Sequence, residues 1–158
     1  MPVLPHISDV KESLSRFQRL MGLDLGTKTI GLALSDVSLT VATPHSTIRR
    51  TKFTADVTEL LRLVDSLEVG GLVLGLPVSM DGTEGPRCQS ARDFAVNLLK
   101  LRDIPLCFQD ERLSTAAVTR TLLEADASRR RRAEVVDKMA AAYILQGALD
   151  ALAFRPLF

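Results

Sequence analysis

Leu20-Met21-Gly22-Leu23-Asp24-Leu25-Gly26-Thr27-Lys28-Thr29-Ile30-Gly31-Leu32-Ala33-Leu34-Ser35-Asp36 is the stretch on which the fold turns. It contains two short apolar runs, Leu20 to Leu25 ended by Gly26, and Ile30 to Leu34 ended by Ser35-Asp36. Apolar runs of this length between turn residues read as strands. Thr40 to Ile48 is a third, more polar run. Pro44 within it predicts an edge strand, because proline donates no ladder hydrogen bond. The three runs are close enough in sequence to form an antiparallel meander.

Beyond residue 50 the period changes. Val57, Leu60, Leu61, Val64 and Leu67 recur at helical spacing, with Asp56, Glu59, Asp65 and Glu68 on the other side. Gly70-Gly71 is expected to stop that helix. Leu72 to Leu76 reads as a buried strand closed by Pro77, before a loop at 77–86 rich in Gly, Asp and Pro. That loop reads as a lid, a phosphate contact, or a plain turn at Asp81-Gly82. Pro86 suits a first helical position, and Cys88, Ala91, Phe94, Ala95 and Leu98 follow on one apolar face. Pro105 to Phe108 is a short strand running into Gln109-Asp110-Glu111-Arg112. Ser114 is placed to cap a helix reaching about Ala125. A basic loop is expected over Ser128 to Arg132, then a last helix from about Ala133 to Ala153.

Strands that alternate with helices imply parallel pairing through right-handed crossovers. The expected fold is α/β, a ribonuclease H-like mixed sheet of five strands flanked by helices. Residues 1–19 read as an N-terminal extension holding a short helix. Ser8 would cap it, and Val10, Leu14 and Phe17 would share one face. Residues 20–158 read as the domain proper.

Composition narrows the function. The chain has 158 residues, 46% apolar and 25% charged, which fits one globular domain and excludes a disordered chain. Twenty Lys and Arg against nineteen Asp and Glu leave a net charge of +1. Any basic surface for nucleic acid must therefore be local. Six Phe, Tyr143 and no Trp argue against a base-stacking platform. Two cysteines, Cys88 and Cys107, exclude a disulfide framework and a Cys-based zinc site, and His6 and His45 leave little room for His-rich metal chemistry. No signal pattern and no membrane-length apolar run are present, so the cytosol is the expected compartment and no membrane partner is expected.

Three carboxylates stand out. Asp24 ends the first strand between leucines, and a charge there is expensive unless it is paired or holds a metal. Its plain alternative is a residue that starts a turn. Glu111 follows the last short strand, at the carboxyl edge where α/β active sites gather; its plain alternative is a local pair with Arg112. Asp137 lies near the start of the last helix, where an acidic residue also suits the helix dipole. Converging carboxylates repel, and a hard cation such as Mg²⁺ would reconcile them. Between Arg112 and Arg132 six Arg face only Glu124 and Asp126, a local excess of +4 with Arg129, Arg130, Arg131 and Arg132 in a row. Such a run grips backbone phosphates without reading bases, or is a solvated charge cluster.

Four segments in order resemble the YqgF (RuvX) family of ribonuclease H-like nucleases. They are Gly22 to Asp36, Gly75-Leu76-Pro77 with Met80-Asp81-Gly82, Asp110-Glu111-Arg112-Leu113-Ser114-Thr115, and Val136-Asp137-Lys138-Met139-Ala140-Ala141. The resemblance implies a metal-dependent nuclease in which Asp24, Glu111 and Asp137 are catalytic and bind one or two Mg²⁺ or Mn²⁺ ions. Lys28, Arg112 and Arg129 to Arg132 would contact nucleic acid, with Asp110 behind the metal ligands. The implied substrate is the 5′ end of pre-16S rRNA, and branched DNA at a Holliday junction is the alternative. The family commonly has Arg after the Lys where this chain has Thr29, a departure that bears on a phosphate contact and not on the acidic site. Monomer and homodimer are both compatible with this reading. A non-catalytic nucleic-acid-binding regulator competes with it, but three acids would only repel phosphate without metal. An ATP-using enzyme of the actin and sugar-kinase kind competes through Asp24-Leu25-Gly26-Thr27, yet such enzymes need two domains.

Overall fold

The computed structural model describes residues 2–79, 81–111 and 129–153, with the backbone alone for 129–137. The expected helix at 114–125, together with Arg112, lies outside the described residues. The elements are α1 (Ile7–Glu12), β1 (Arg19–Leu25), β2 (Thr29–Ser35), β3 (Ala42–Arg49), α2 (Phe53–Ser66), β4 (Val69–Leu76), α3 (Pro86–Leu101), β5 (Leu106–Asp110) and α4 (Arg129–Ala153).

The strands form one sheet in the order β3-β2-β1-β4-β5. β1, β2 and β3 pair antiparallel, while β4 pairs parallel with both β1 and β5. This is the expected meander followed by parallel crossovers. β3 is an edge strand. Its Pro44 sits opposite Ala33, where the register shifts between Leu32 and Ala33, so the missing donor falls at an irregularity. β4 is buried along its whole length, as a strand covered on both faces must be.

Strand alternation divides the core in two. Met21, Leu23, Ile30, Leu32, Leu72, Leu74 and Leu106 pack against Val57, Leu60 and Val64 of α2 and Phe94, Ala95 and Leu98 of α3. On the opposite face Leu20, Ala33, Val73 and Cys107 pack against Ala141, Ile144, Leu145, Ala148 and Leu149 of α4. Val10 of α1 belongs to this second cluster and is fully buried. The Leu4 amide donates to the Leu106 carbonyl at 2.8 Å. The leading segment is thus seated against the sheet.

Three local expectations are corrected. Helix α1 starts after His6 rather than Ser8, and the His6 amide donates to Asp9 at 3.2 Å. Phe17 lies beyond that helix at φ 69, 60% exposed, with the Arg16 guanidinium 5.0 Å over its ring. Helix α2 ends at Ser66, and Glu68 makes the turn at φ 56 before Gly70 and Gly71 enter β4. Those glycines serve space rather than chain reversal. A Cβ on Gly70 would meet the Gln18 amide and Leu14, and one on Gly71 would meet Val10 and stand 3.0 Å from Leu20. Finally, Arg129 to Arg132 form the first turn of α4 instead of a loop. Arginine is a good helix former, and a helix already anchored by its apolar face extends readily through such residues.

Candidate active site at the sheet edge

Asp24 is the next-to-last residue of β1 and is paired with Gly31 across the meander. Period-two alternation from Leu20 and Gly22 puts it on the α4 face, while Leu23 and Leu25 point toward α2 and α3. It is 1% exposed. Glu111 directly follows β5 and is 8% exposed. β4 lies between the two acids. Its Gly75 pairs with Gln109, and Leu76 with Asp110, so all three strands end at one edge.

Gly75 makes room for the glutamate. A Cβ there would stand 2.7 Å from Glu111 Oε1 and would collide with Ile144 of α4. The Glu111 carboxylate therefore lies over β4 on the α4 face, the same face as Asp24. Gly22 has a matching role one row back, where a Cβ would stand 2.7 Å from Leu145 Cβ and 2.8 Å from the Ala141 carbonyl oxygen. Helix α4 thus rests almost on the sheet backbone.

The direction of α4 follows from its far end. Gln146 accepts from the Ala42 amide at 2.8 Å and donates to the Thr40 carbonyl at 3.0 Å, beside the start of β3. Ala42 faces Ser35 across β3 and β2, and Met21 faces Leu34. The helix therefore runs antiparallel to β1, and its amino-terminal part points toward the edge bearing Asp24 and Glu111. Position 137 is one turn before Ala141, a rise of about 6 Å, close to the span of about 6.6 Å from Gly22 to Asp24 along the strand. The side chain of Asp137 lies outside the described residues. Among the described residues no three acidic, His or Cys side chains are grouped as metal ligands.

Lys28 is exposed on the β1–β2 turn at this edge. The turn is fixed by a residue that sequence reasoning missed. Arg50 Nη1 donates to the Gly26 carbonyl at 2.7 Å, and the Arg50 amide donates to the Lys28 carbonyl at 2.8 Å. A single Arg after an edge strand gives no signal of this in the sequence. Asp110, half-buried, closes β5 beside Glu111. The Asp81-Gly82 element forms a turn. Gly82 adopts φ 89, the Gly82 amide donates to the Ser79 carbonyl at 2.8 Å, and Asp81 accepts from the Thr83 amide at 2.9 Å. Glu84 of the same loop pairs with Arg92 at 2.7 Å, which holds its carboxyl below the usual range. Among the described residues no helix is long and apolar enough to cross a membrane.

Residues 18–151 match the family described as RuvX: Holliday junction resolvase. A protein of Paramagnetospirillum magneticum named "Putative pre-16S rRNA nuclease" is 73% identical over 150 residues, covering 95% of this chain and 96% of its own length. A protein of the same name from Rhodospirillum rubrum is 69% identical over 134 residues, 84% of this chain and 83% of its own. Among solved structures, T. thermophilus RuvC in complex with a Holliday junction substrate is similar with a TM-score of 0.52 at 12% identity, covering 86% of this chain and 96% of that one. The Fowlpox virus resolvase with Holliday junction DNA gives 0.50 at 8% identity, over 87% and 100%. At such identities the likeness is one of fold, and the mixed five-stranded sheet is ribonuclease H-like.

Proposed function

The chain belongs to the RuvX family, and from that membership we propose that it is a metal-dependent nuclease that processes the 5′ end of pre-16S rRNA in the cytoplasm. The observation that carries this reading is the burial of Asp24 and Glu111 at one edge and on one face of the sheet, over the Gly75 backbone and under α4.

Asp24, Glu111 and Asp137 would hold one or two divalent ions, Mg²⁺ or Mn²⁺. The donor set fits, since carboxylate oxygens suit hard cations, and Gly75 lets the Glu111 carboxylate lie close over the β4 backbone, where a Cβ would stand 2.7 Å from its Oε1. When bound, such ions polarise the phosphoryl group and supply an activated water. The chain's own residues do the rest. Asp24 is held on a central strand and Glu111 at the end of another, so both are positioned by rigid elements. Ile144 beside Glu111 excludes water from one side and keeps local electrostatics strong. Asp110, half-buried next to Glu111 in the chain, would support the metal-holding carboxylates from behind. In this reading Lys28, Arg112 and Arg129 to Arg132 would contact the phosphate backbone, which positions a strand without reading its bases.

A second reading, cleavage of branched DNA, is favoured by the family's description and by the fold shared with RuvC. Purified full-length protein with Mg²⁺ or Mn²⁺ is to be tested on precursor 16S rRNA and a four-way DNA junction side by side, with Asp24→Asn as control. Metal-dependent cutting of the rRNA that chelator stops and Asp24→Asn lacks is the expected result. Cutting of the junction alone selects the second reading. Binding without cleavage of either, or undiminished cleavage by Asp24→Asn, overturns the assignment.

A further inference from the structure

A cavity of about 90 Å³ opens at the same edge of the sheet but on its other side, between the β1–β2 turn and the start of α3. Leu25, Gly26, Thr27, Arg50, Arg87 and Ser90 line it, with Ala91 at its base. Among the described residues no acidic side chain does. Three other described arginines are neutralised, Arg62 by Glu59 at 2.6 Å, Arg92 by Glu84 at 2.7 Å and Arg102 by Asp65 at 2.8 Å. Arg87 has no carboxylate partner among the described residues, and Arg50 spends one N–H on the Gly26 carbonyl.

We propose that this cavity is an anion subsite in which Arg50 and Arg87 hold a backbone phosphate of the bound nucleic-acid strand, next to the phosphate being cleaved. The inference rests on the nuclease reading above. Two guanidiniums facing one cavity repel each other, and a bound anion relieves that repulsion. The volume suits a phosphate group and its waters and is too small for a nucleoside. Arg50 is already clamped by its bond to Gly26, so little side-chain freedom remains to be lost when phosphate binds. The Thr27 and Ser90 hydroxyls add neutral donors. Leu25 lines the cavity and Asp24 precedes it in β1 with its side chain on the opposite face. A strand that crosses the end of β1 therefore meets the acids on one side and the arginines on the other. This sets the register of the substrate, because the distance between the two sites selects which phosphate lies at Asp24 and Glu111.

The test measures binding of full-length protein to a single-stranded oligoribonucleotide from the precursor 5′ end, in chelator so that nothing is cut, over a range of salt. Arg87→Ala is expected to weaken binding about tenfold, the scale of one charge-assisted hydrogen bond, and to flatten the slope of log K against log salt by about 0.7. Arg87→Lys should recover most of the slope. Arg62→Ala, whose arginine is already paired on α2, should leave it unchanged. Arg87 is exposed, so folding is expected to survive, and thermal melts check this. An unchanged slope in both Arg87→Ala and Arg50→Ala, while wild type still cleaves with metal, overturns the subsite alone. Failure of wild type to bind either RNA or junction DNA overturns the subsite and the nuclease reading together.

Discussion

On the side covered by α2 and α3, strands β1, β2 and β4 present Met21, Leu23, Ile30, Leu32, Leu72 and Leu74 to a continuous apolar core. On the side covered by α4 the same strands present Leu20, Gly22, Asp24, Ala33, Val73 and Gly75. The first side fills its volume with side chains. The second omits them at Gly22 and Gly75, so that a long helix lies close to the backbone and the Glu111 carboxylate lies over β4. On the proposed function, one sheet separates stability from chemistry by face, and substitutions of similar size should have different consequences on the two sides.

Asp24→Asn tests the chemical side most severely. Cleavage should fall by at least about 10²–10³-fold, the scale of losing one electrostatic stabiliser, while the melting temperature holds or rises because a buried charge is removed. A variant that is equally inactive and unfolded would leave no separation between the faces. Leu74→Ala should do the reverse. It empties a fully buried site in the larger cluster and should cost about 2–5 kcal/mol by denaturant unfolding, with activity kept at temperatures where the variant is folded.

The glycines sharpen the contrast. Gly22→Ala forces a methyl against Leu145 and the Ala141 carbonyl and should cost about 1–3 kcal/mol. Gly75→Ala forces one against Glu111 Oε1 and Ile144, so cleavage should fall by more than its loss of stability accounts for. Gly85→Ala, where a Cβ would meet nothing within 4 Å and φ is −93, should stay within about 0.5 kcal/mol of wild type. If Gly22→Ala and Gly85→Ala melt alike, close approach of α4 is not what those glycines provide.

The last expected effect is one of pH. Burial, and then the negative charge of Asp9, push the Cys107 thiol up to about 12. The folded protein keeps this proton where the unfolded chain releases it, from about pH 9 upward. Stability should therefore be lost as pH rises from 9 toward 12, and the loss should be smaller in Cys107→Ala. Melting curves of both proteins at pH 7 and pH 10.5 decide it.

Much of this architecture could be read from local pattern. Alternating and helical periods set the order of strands and helices. Pro44 marked the edge strand, and Pro86 marked the start of α3. Asp24 stood out because a charge in a leucine-lined strand is costly. Gly70-Gly71 misled, because glycine serves both for turning and for close approach, and local sequence does not distinguish them. Only the neighbours Gln18, Leu14 and Val10 revealed which was in force. The Arg129 to Arg132 run misled because its helical state depends on the packed helix downstream.

The sequence by itself determined the order of the described strands and most of the helices, since period and turn residues act over a few neighbours. It also placed Asp24 and Glu111 at strand ends. Tertiary structure alone decided which groups face each other across the sheet: Glu111 over Gly75, α4 upon Gly22, and Arg50 and Arg87 around one cavity. Those relations depend on strand order, register and the distance between packed layers, which arise only when segments far apart in the chain exclude water together.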